Sequence, residues 1–362
     1  MFSKDFITII GFLSAGVTFL YEVYNYIYVS RFRYTQTNNT MLSDEDIYFT
    51  DEYKDWELLN IDNTKIMRSK EIDKDIDSFN PPLTTDERKF RPHQNLISAS
   101  YSIILKRSKN YHIWDDDKIQ LRTDIRLPLS SIREIKLRKT SYFYSLTTNG
   151  IVTKSILDKK NNNDDIMTKD LYLNKIDNRY YLRNLSDSKL SNHIGVSTMC
   201  ITNDKKLLIQ RQSDNCARSP GAWAPSGSGS GDYGDLVGVT NLRDLIIKVS
   251  ERELIEEIRL DRFTKNSQIE TIIIGYARNI MLGGKPEFFC FSKVPYASDD
   301  IGKEIFEKEF VIQIEYEELL YDNLERIDAY IRKYKHTSTW VLTYHLRLLK
   351  EYFERCPAQF PS

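Results

Sequence analysis

The sequence predicts an α+β protein in which one N-terminal membrane helix and a β-rich module precede a mixed α and β domain. Three observations predict this arrangement. Residues 6 to 29 are almost free of charge, short β-branched and aromatic runs occupy residues 96 to 185, and strand-like and helix-like runs alternate after residue 191. Strands separated by helices are typical of layered domains.

Composition limits the classes of function. The 362 residues give room for about two domains, and 41% hydrophobic with 12% aromatic residues can bury real cores. The 51 basic and 52 acidic residues leave a formal charge of -1. A nearly neutral chain has no overall electrostatic attraction for nucleic acid, so we predict no nucleic-acid partner. Any polyanionic ligand would have to bind to a local cluster of basic residues.

Cysteine and histidine usage argues against a zinc site. The four cysteines are too far apart in sequence for a Cys-x-x-Cys pair, and the five histidines form no His-x-x-x-His pair. Nothing in the pattern suggests a secreted disulfide scaffold. We interpret the cysteines as reduced thiols in a protein that faces the cytosol.

The N-terminal segment 1–33 is predicted to be a single-pass membrane anchor. The run FITIIGFLSAGVTFLY carries no charge, and EVYNYIYV extends it to Val29 with Glu22 as its ionised residue. At about 1.5 Å per helical residue, 20 to 24 residues span a hydrocarbon layer of about 30 Å. A signal peptide would need a small-residue cleavage site, which does not follow, and a buried helix of a soluble fold fits the continuous run poorly.

Charges beside this run predict its orientation and location. Arg31 and Arg33 follow the run closely, so the positive-inside rule places the remainder of the chain in the cytoplasm, at the cell membrane. Small residues at Gly11, Ser14, Ala15 and Gly16 would permit close helix packing, so the anchor is a candidate for self-association.

Three further segments follow the anchor. Residues 34–95 are polar and are predicted to be a juxtamembrane linker with short ordered pieces. Residues 96–190 are predicted to be a β-rich middle module with strands at SASYSIILK, KIQLRTDIRL, SIREIKLRK and YFYSLTT. Residues 191–355 form the C-terminal domain, whose strands and helices alternate.

The C-terminal domain has clear local signals. HIGVSTMCITND and KKLLIQRQS predict two strands around a turn at Asn203 and Asp204, while ETIIIGYARN and PEFFCFSKV flank a turn at Gly283 and Gly284. TNLRDLIIKVSERELIEEI predicts a long helix, and apolar residues from Val341 to Phe353 recur at helical spacing, as in a core-facing stripe.

The long helix carries a dense group of charges, RELIEEIRL, from Arg252 to Leu260. At about 100° per residue, Glu253, Glu256 and Glu257 share an arc of about 100°, with Ile247, Leu254 and Ile258 on one flank. Like charges this close repel one another, so the acids either point into water or surround a cation. Magnesium takes oxygen ligands and bridges carboxylates to substrate phosphates. Taken alone, the stretch permits both interpretations.

The wider spacing favours the metal interpretation. Gly238 precedes Asp244 by six positions, and Asp244 precedes Arg252 by eight; the acids and Leu260 follow. This resembles the box of the Nudix hydrolase superfamily, G-x5-E-x7-R-E-U-x-E-E-x-G-U, where U is a bulky aliphatic residue. Asp244 replaces its first Glu and Arg259 its closing Gly. SPGAWAPSGSGS before the box fits the family, and the resemblance covers about residues 191 to 350.

The resemblance implies an α/β/α sandwich with a mixed sheet and a metal-dependent diphosphate hydrolase site. Glu253, Glu256 and Glu257 match the acids that bind Mg²⁺ or Mn²⁺, and Arg252 matches the arginine that orients one of them. Some members use a later glutamate as base, for which Glu287 and Glu309 are candidates. A residue just after a helix often adopts the left-handed conformation, so Arg259 would cost on the order of 1 kcal/mol there.

Two functional hypotheses follow. The arrangement of an apolar helix, a β-rich module and a terminal Nudix-like domain is similar to membrane-associated Nudix effectors of CBASS antiviral systems, which respond to a cyclic nucleotide. The implied function is a nucleotide-responsive membrane effector that binds a nucleotide signal and a divalent metal. The alternative is a membrane-tethered hydrolase of a nucleoside diphosphate derivative. A scaffold that only binds a protein partner is a third option, against which the complete set of acids argues.

Overall fold

The computed structural model describes residues 32–36, 47–48, 50–62, 64–93, 96, 99, 104, 115–158, 164–166, 168–212, 219–260, 269–305, 316–317 and 325–357. The strands in the first part of the chain are β1 (Phe32–Gln36), β2 (Ile47–Tyr48), β3 (Glu57–Ile61), β4 (Thr64–Arg68), β5 (Leu83–Asp86), β6 (Asp117–Leu121), β7 (Ile135–Ser141), β8 (Lys154–Asp158), β9 (Asp164–Ile166), β10 (Leu173–Ile176) and β11 (Arg179–Leu182).

The strands in the C-terminal part are β12 (Gly195–Ile201), β13 (Leu207–Arg211), β14 (Trp223–Pro225), β15 (Gly227–Ser230), β16 (Glu270–Asn279), β17 (Lys285–Lys293) and β18 (Tyr316–Glu317). The α-helices are α1 (Lys70–Asp75), α2 (Tyr142–Thr147), α3 (Leu242–Glu257), α4 (Ser298–Ile305), α5 (Glu325–Tyr334) and α6 (Trp340–Arg355). Short 3-10 helices include Asp51–Tyr53 and Tyr233–Leu236.

A nine-stranded sheet organises the described residues. Its order is β14-β13-β12-β17-β16-β4-β3, with β15 paired to β12 and β18 paired to β13. Strands β12 and β17 run parallel, whereas β16 is antiparallel to both β17 and β4. The sheet is therefore mixed, and the fold is α+β as the sequence predicted.

Helices cover both faces of this sheet. Val196 and Phe288 pack with the buried side of α3, whereas Met199 and Phe289, three residues and one residue further along the same strands, pack with α6. Because successive side chains of a strand point to opposite faces, α3 and α6 lie on opposite sides of the sheet. The apolar stripe of α6 faces the core, as its helical spacing predicted.

The segment 34–95 differs from the predicted linker. Strands β3 and β4 form a hairpin within it, and β4 pairs with β16 as part of the large sheet. Ile61, Ile66 and Met67 are fully buried there. These three side chains stabilise the hairpin by removing apolar surface from water, although polar neighbours hide their pattern in the sequence.

Three smaller sheets accompany the large one, with orders β5-β7-β6, β1-β8-β9 and β10-β11-β2. Strands β6 and β7 overlap the predicted runs KIQLRTDIRL and SIREIKLRK, and each extends beyond its run by one or two residues. The strand predicted at YFYSLTT is wrong, because these residues form α2: the Ser141 side chain accepts a hydrogen bond from the Tyr144 amide and caps the helix. Residues 99 and 104, within the run SASYSIILK, are also helical where a strand was predicted.

A buried arginine joins the smaller sheets to the large one. Arg278 of β16 is 1% exposed and donates to Asp124 Oδ1 at 3.0 Å and to the Tyr53 hydroxyl oxygen at 2.9 Å. It also donates to the carbonyl oxygens of Gly284 and Arg183. Four separate parts of the chain therefore meet around one guanidinium.

The predicted membrane anchor lies outside the described residues, apart from β1, which begins at Phe32. Among the residues that the structure describes, no helix combines the length and the apolar character needed to cross a bilayer.

His345 of α6 predicts a loss of stability in acid. Its imidazole is fully buried, with Nε2 donating to the Cys290 carbonyl oxygen at 2.8 Å and Nδ1 accepting from Ser197 Oγ at 3.3 Å. Burial lowers the pKa of His345 from 6.5 to about 3. The unfolded chain therefore takes up this proton first, and stability is lost as the pH falls from 6.5 towards 3, by about 3 kcal/mol between pH 7 and pH 4.

The measurement is urea unfolding of the wild-type protein and His345→Gln across this pH range. The variant is expected to show the shallower loss towards acid. Burial raises the pKa of Asp73 to about 7, which acts in the opposite direction in the same range, but this contribution is common to both proteins. Identical slopes for the two proteins would contradict the assignment.

Candidate functional site

The N-terminus of α3 is fixed by Gly238, Asn241 and Asp244. Gly238 has φ +77°, a conformation that glycine adopts without steric cost. The Asn241 side chain accepts from the Asp244 amide and donates to the Asp244 carboxylate at 2.8 Å. This reciprocal cap gives Asp244 a structural role, and the nine residues to Glu253 place it about 13 Å along the helix from the acids.

Strand β15 lets α3 lie directly on the sheet. A Cβ added to Gly227 would be 2.8 Å from the Leu254 Cα, and one added to Gly229 would overlap the Glu253 carboxylate. The sequence Gly-Ser-Gly-Ser therefore removes every side chain from the face of β15 that α3 occupies. The close approach brings the glutamates of α3 against the backbone of the strand.

Two of the three predicted metal ligands bond to this backbone. Glu257 Oε2 accepts from the Ser228 amide at 2.9 Å and also from the Gln210 side chain. Glu253 Oε1 accepts from the Ser230 amide at 3.2 Å, and its side chain is 13% exposed. Both carboxylates are thus directed into the junction between α3 and the sheet.

The third predicted ligand, Glu256, lies at the edge of this junction. Its side chain is 58% exposed and lies 3.3 Å from Arg252 Nη1. Leu254 and Ile258 are buried beside the acids as predicted, whereas Ile247 is only half-buried. The acids therefore range from buried to solvated along one side of the helix.

Arg252 lies among the carboxylates and makes its most complete contact with Asp235, which was not among the predicted site residues. Its Nε and Nη2 both donate to the Asp235 carboxylate at 3.0 Å, and Nη2 also donates to the Ser230 carbonyl oxygen. Glu253 lies 3.1 Å from Nη2. Asp235 thus orients the guanidinium, which in turn contacts Glu253 and Glu256.

The electrostatics of the site favour a cation. Five carboxylates, Asp232, Asp235, Glu253, Glu256 and Glu257, accompany two cations, Arg252 and Lys118, the latter paired with Asp232. Burial and then repulsion from Glu253 raise the pKa of Glu257 well above its ordinary value. Burial also raises the pKa of Glu253, while Arg252 lowers it.

The donor chemistry fits a hard divalent cation. The hydrogen bonds described above use Oε2 of Glu257 and Oε1 of Glu253, so the second oxygen of each remains for a metal, and Glu256 is accessible from solvent. In the part of the chain that the structure describes, no group of three or more His, Cys, Asp or Glu side chains is arranged to hold a metal ion. To bind a metal ion, Glu253 and Glu257 would have to turn their second carboxylate oxygens towards each other and towards Glu256.

Other predicted residues take different positions. Arg259 follows α3 with φ +59°, the left-handed conformation expected there. Glu287 pairs with Gly195 in the sheet, so its side chain starts on the face opposite α3, where it bonds Lys285 at 2.7 Å. The structure therefore separates Glu287 from the acids of α3. Glu309 lies outside the described residues.

The sequence prediction missed several members of the site. Asp232 and Asp235 form a capping box around the 3-10 helix Tyr233–Leu236, a signal that the spacing Asp-x-x-Asp contains. Gln210 and Lys118 reach the site from β13 and β6. Their positions depend on strand pairing between distant segments and leave no local signal.

Comparisons with known proteins leave the family of this chain open. No family model matches the sequence, and no curated protein matches it. Among solved structures, DR0079 from Deinococcus radiodurans is similar, with 15% identity over 43% of this chain and 81% of that chain. The TM-score of 0.24 is too low for this likeness to support a conclusion about fold or function.

The contact between β15 and α3 predicts a specific sensitivity to an added methyl group. Gly227→Ala places a Cβ against the backbone of Leu254, which cannot move without shifting α3. We expect a loss of about 1 to 3 kcal/mol in unfolding free energy, as in other overpacked cores, measured by thermal and urea unfolding. Gly234→Ala is the matched control, since its Cβ would meet no atom within 4 Å. Equal losses in the two variants would refute the close approach.

Proposed function

We propose that residues 191–355 form a Nudix-type domain that binds Mg²⁺ or Mn²⁺ and hydrolyses a nucleoside diphosphate derivative. The observation that supports this most directly is the seating of Glu253 and Glu257 on the glycine strand β15, with Glu256 beside them. Helices on both faces of a mixed sheet are compatible with the α/β/α sandwich that this family has.

In this proposal each residue of the site has a distinct task. Glu253, Glu256 and Glu257 would hold the metal, which would supply Lewis-acid stabilisation of a phosphoryl oxygen and lower the pKa of a bound water. Arg252 keeps Glu253 and Glu256 in place through its ion pairs, and Asp235 fixes the guanidinium. The Ser228 and Ser230 amides hold the two buried carboxylates.

The raised pKa of Glu257 gives metal binding a defined proton dependence. Glu257 retains a proton to higher pH than an ordinary glutamate because it is buried next to Glu253. Binding a cation requires the ionised carboxylate, so metal affinity should fall as the pH is lowered. Cation binding would also relieve the repulsion between the two glutamates.

The direct test is hydrolysis by Glu256→Gln combined with Glu257→Gln. Each substitution keeps the size of the side chain and removes a charge, so Mg²⁺-dependent release of a nucleoside monophosphate from nucleoside diphosphate derivatives should fall by at least about 100-fold. Product release is measured by chromatography with and without Mg²⁺. Glu354→Gln, an exposed glutamate of α6, is the matched control and should retain full activity. Undiminished turnover by the double variant would show that the site is assigned wrongly.

A second candidate function is a nucleotide-responsive membrane effector of the CBASS type. One observation favours it specifically: β1 begins at Phe32, three residues after the apolar run ends at Val29, and pairs with β8 over five residues. A conformational change in the middle segment would therefore be transmitted to the N-terminal segment through the pairing of β1 with β8. In this function the protein would bind a cyclic nucleotide and its anchors would self-associate.

Calorimetry on the purified full chain tests the effector hypothesis. Cyclic di- and trinucleotides should bind and increase the mass of the particle in analytical ultracentrifugation, because the signal has to promote association of the anchors. Linear dinucleotides of the same bases are the control ligands. Failure of every cyclic di- and trinucleotide to bind would eliminate this candidate and leave the hydrolase proposal standing.

A further inference from the structure

A second polar cavity lies away from α3, in the middle segment. It has a volume of about 340 Å³ and is formed by the residues after β6, the start of β7 and residues 184–186. Four of its side chains are cationic: Arg122, Arg126, Arg133 and Lys136. This concentration of positive charge contrasts with the formal charge of -1 for the whole chain.

The acidic residues of the cavity neutralise only part of this charge. Asp124 is committed to the buried Arg278 at 3.0 Å, and Glu134 lies 3.4 Å from Lys136. Arg126 pairs with Glu52, and its buried Nη1 lies against that carboxylate without a hydrogen bond of regular geometry. Two of the four cations therefore have an acidic neighbour of their own.

The remaining cations share very little negative charge. Arg122 reaches Asp86 at 3.4 Å, but the same carboxylate also bonds Arg88. Arg133 is exposed, and within the described residues no carboxylate lies within ion-pair distance of it. The cavity thus keeps an excess of guanidinium groups directed at a volume that a small ligand can enter.

The surroundings show the same excess of positive charge. Arg138, next to the cavity on β7, donates to Gln120 at 2.7 Å instead of to a carboxylate. Its pKa is lowered by burial and by the charge of Arg122, and Asp86 offsets part of this effect. Cations held this close with a single shared carboxylate among them are stabilised by a bound anion.

We propose that this cavity binds a small molecule through a phosphate or diphosphate group, with Arg122 and Arg133 as its principal contacts. Lys136 supports them, because its ion pair with Glu134 is exposed to solvent and is therefore weak. Guanidinium groups match phosphate oxygens in pairs, which makes phosphate a better fit than a simple halide. The described lining contains the polar side chains of Thr123, Ser131 and Asn184, of which Ser131 already donates to the Pro128 carbonyl oxygen, and it contains no aromatic ring. Recognition therefore centres on the phosphate and on the cations. This site is separate from the carboxylates of α3 and does not depend on the function proposed for them.

The cavity is also connected to the large sheet. Asp124 lines it through the same carboxylate that bonds Arg278 of β16, and the Leu185 amide donates to the other oxygen of Asp124 at 2.7 Å. Asn184, another lining residue, accepts from the Tyr53 hydroxyl. An anion in the cavity would therefore lie beside Asp124 and Asn184, which contact Arg278 of the large sheet and Tyr53.

The test is titration calorimetry of the full chain with sodium pyrophosphate in the presence of EDTA. Because the cavity uses cations of the protein itself, binding should persist without divalent metal, unlike binding at the glutamates of α3. Arg133→Ser with Lys136→Ser should weaken it by at least about tenfold, since two charge-assisted contacts are lost. Both side chains are exposed, so the thermal unfolding temperature should not change.

Arg332→Ser with Lys335→Ser is the matched control, because it removes the same charge from exposed positions at the end of α5 and beyond it. ADP and inositol trisphosphate identify the source of the phosphate: tighter binding of ADP indicates a soluble nucleotide, and tighter binding of the inositol phosphate indicates a lipid headgroup. No binding of pyrophosphate in EDTA, or equal binding by the two double variants, would overturn the proposal.

Discussion

One buried cation, Arg278 of β16, connects the large sheet to the segments that follow β6 and β11, which belong to two of the smaller sheets. A guanidinium removed from water is stable only when its donors are matched, and here a carboxylate, a hydroxyl and two carbonyl oxygens match them. Deleting one charged partner of such a pair typically costs about 3 to 5 kcal/mol, because the other charge stays buried. The contact therefore fixes Asp124, Tyr53 and β16 in one arrangement, and Asp124 in turn lines the cationic cavity.

Local sequence signals predicted the C-terminal elements well. Strands β16 and β17, the turn at Gly283 and Gly284, and helices α3 and α6 lie where hydrophobic spacing and glycine placed them, because each of these patterns is complete within a short stretch. Hairpin β3–β4 could not be predicted in this way. Its apolar residues do not alternate regularly with polar ones, and β4 pairs with β16, about 200 residues later in the chain.

The candidate site was predictable in part for the same reason. Glu253, Glu256 and Glu257 share one side of a helix by spacing alone, and the left-handed conformation of Arg259 follows from its position after the helix. The partners that determine their chemistry come from elsewhere: Asp235 from the loop before the helix, Gln210 from β13 and Lys118 from β6. Sequence spacing identified the acids, whereas their burial and raised pKa values arise from tertiary packing.

The seating of α3 on β15 has a further consequence for the free edge of this strand. Among the described residues β15 pairs with one strand, β12, so its other edge would offer free amides to a strand from another molecule. Glu257 and Glu253 accept hydrogen bonds from the Ser228 and Ser230 amides and place negative charge along that edge. The two carboxylates thus occupy the amides that an added strand would need as hydrogen-bond donors. They can do so because Gly227 and Gly229 let α3 approach β15 closely.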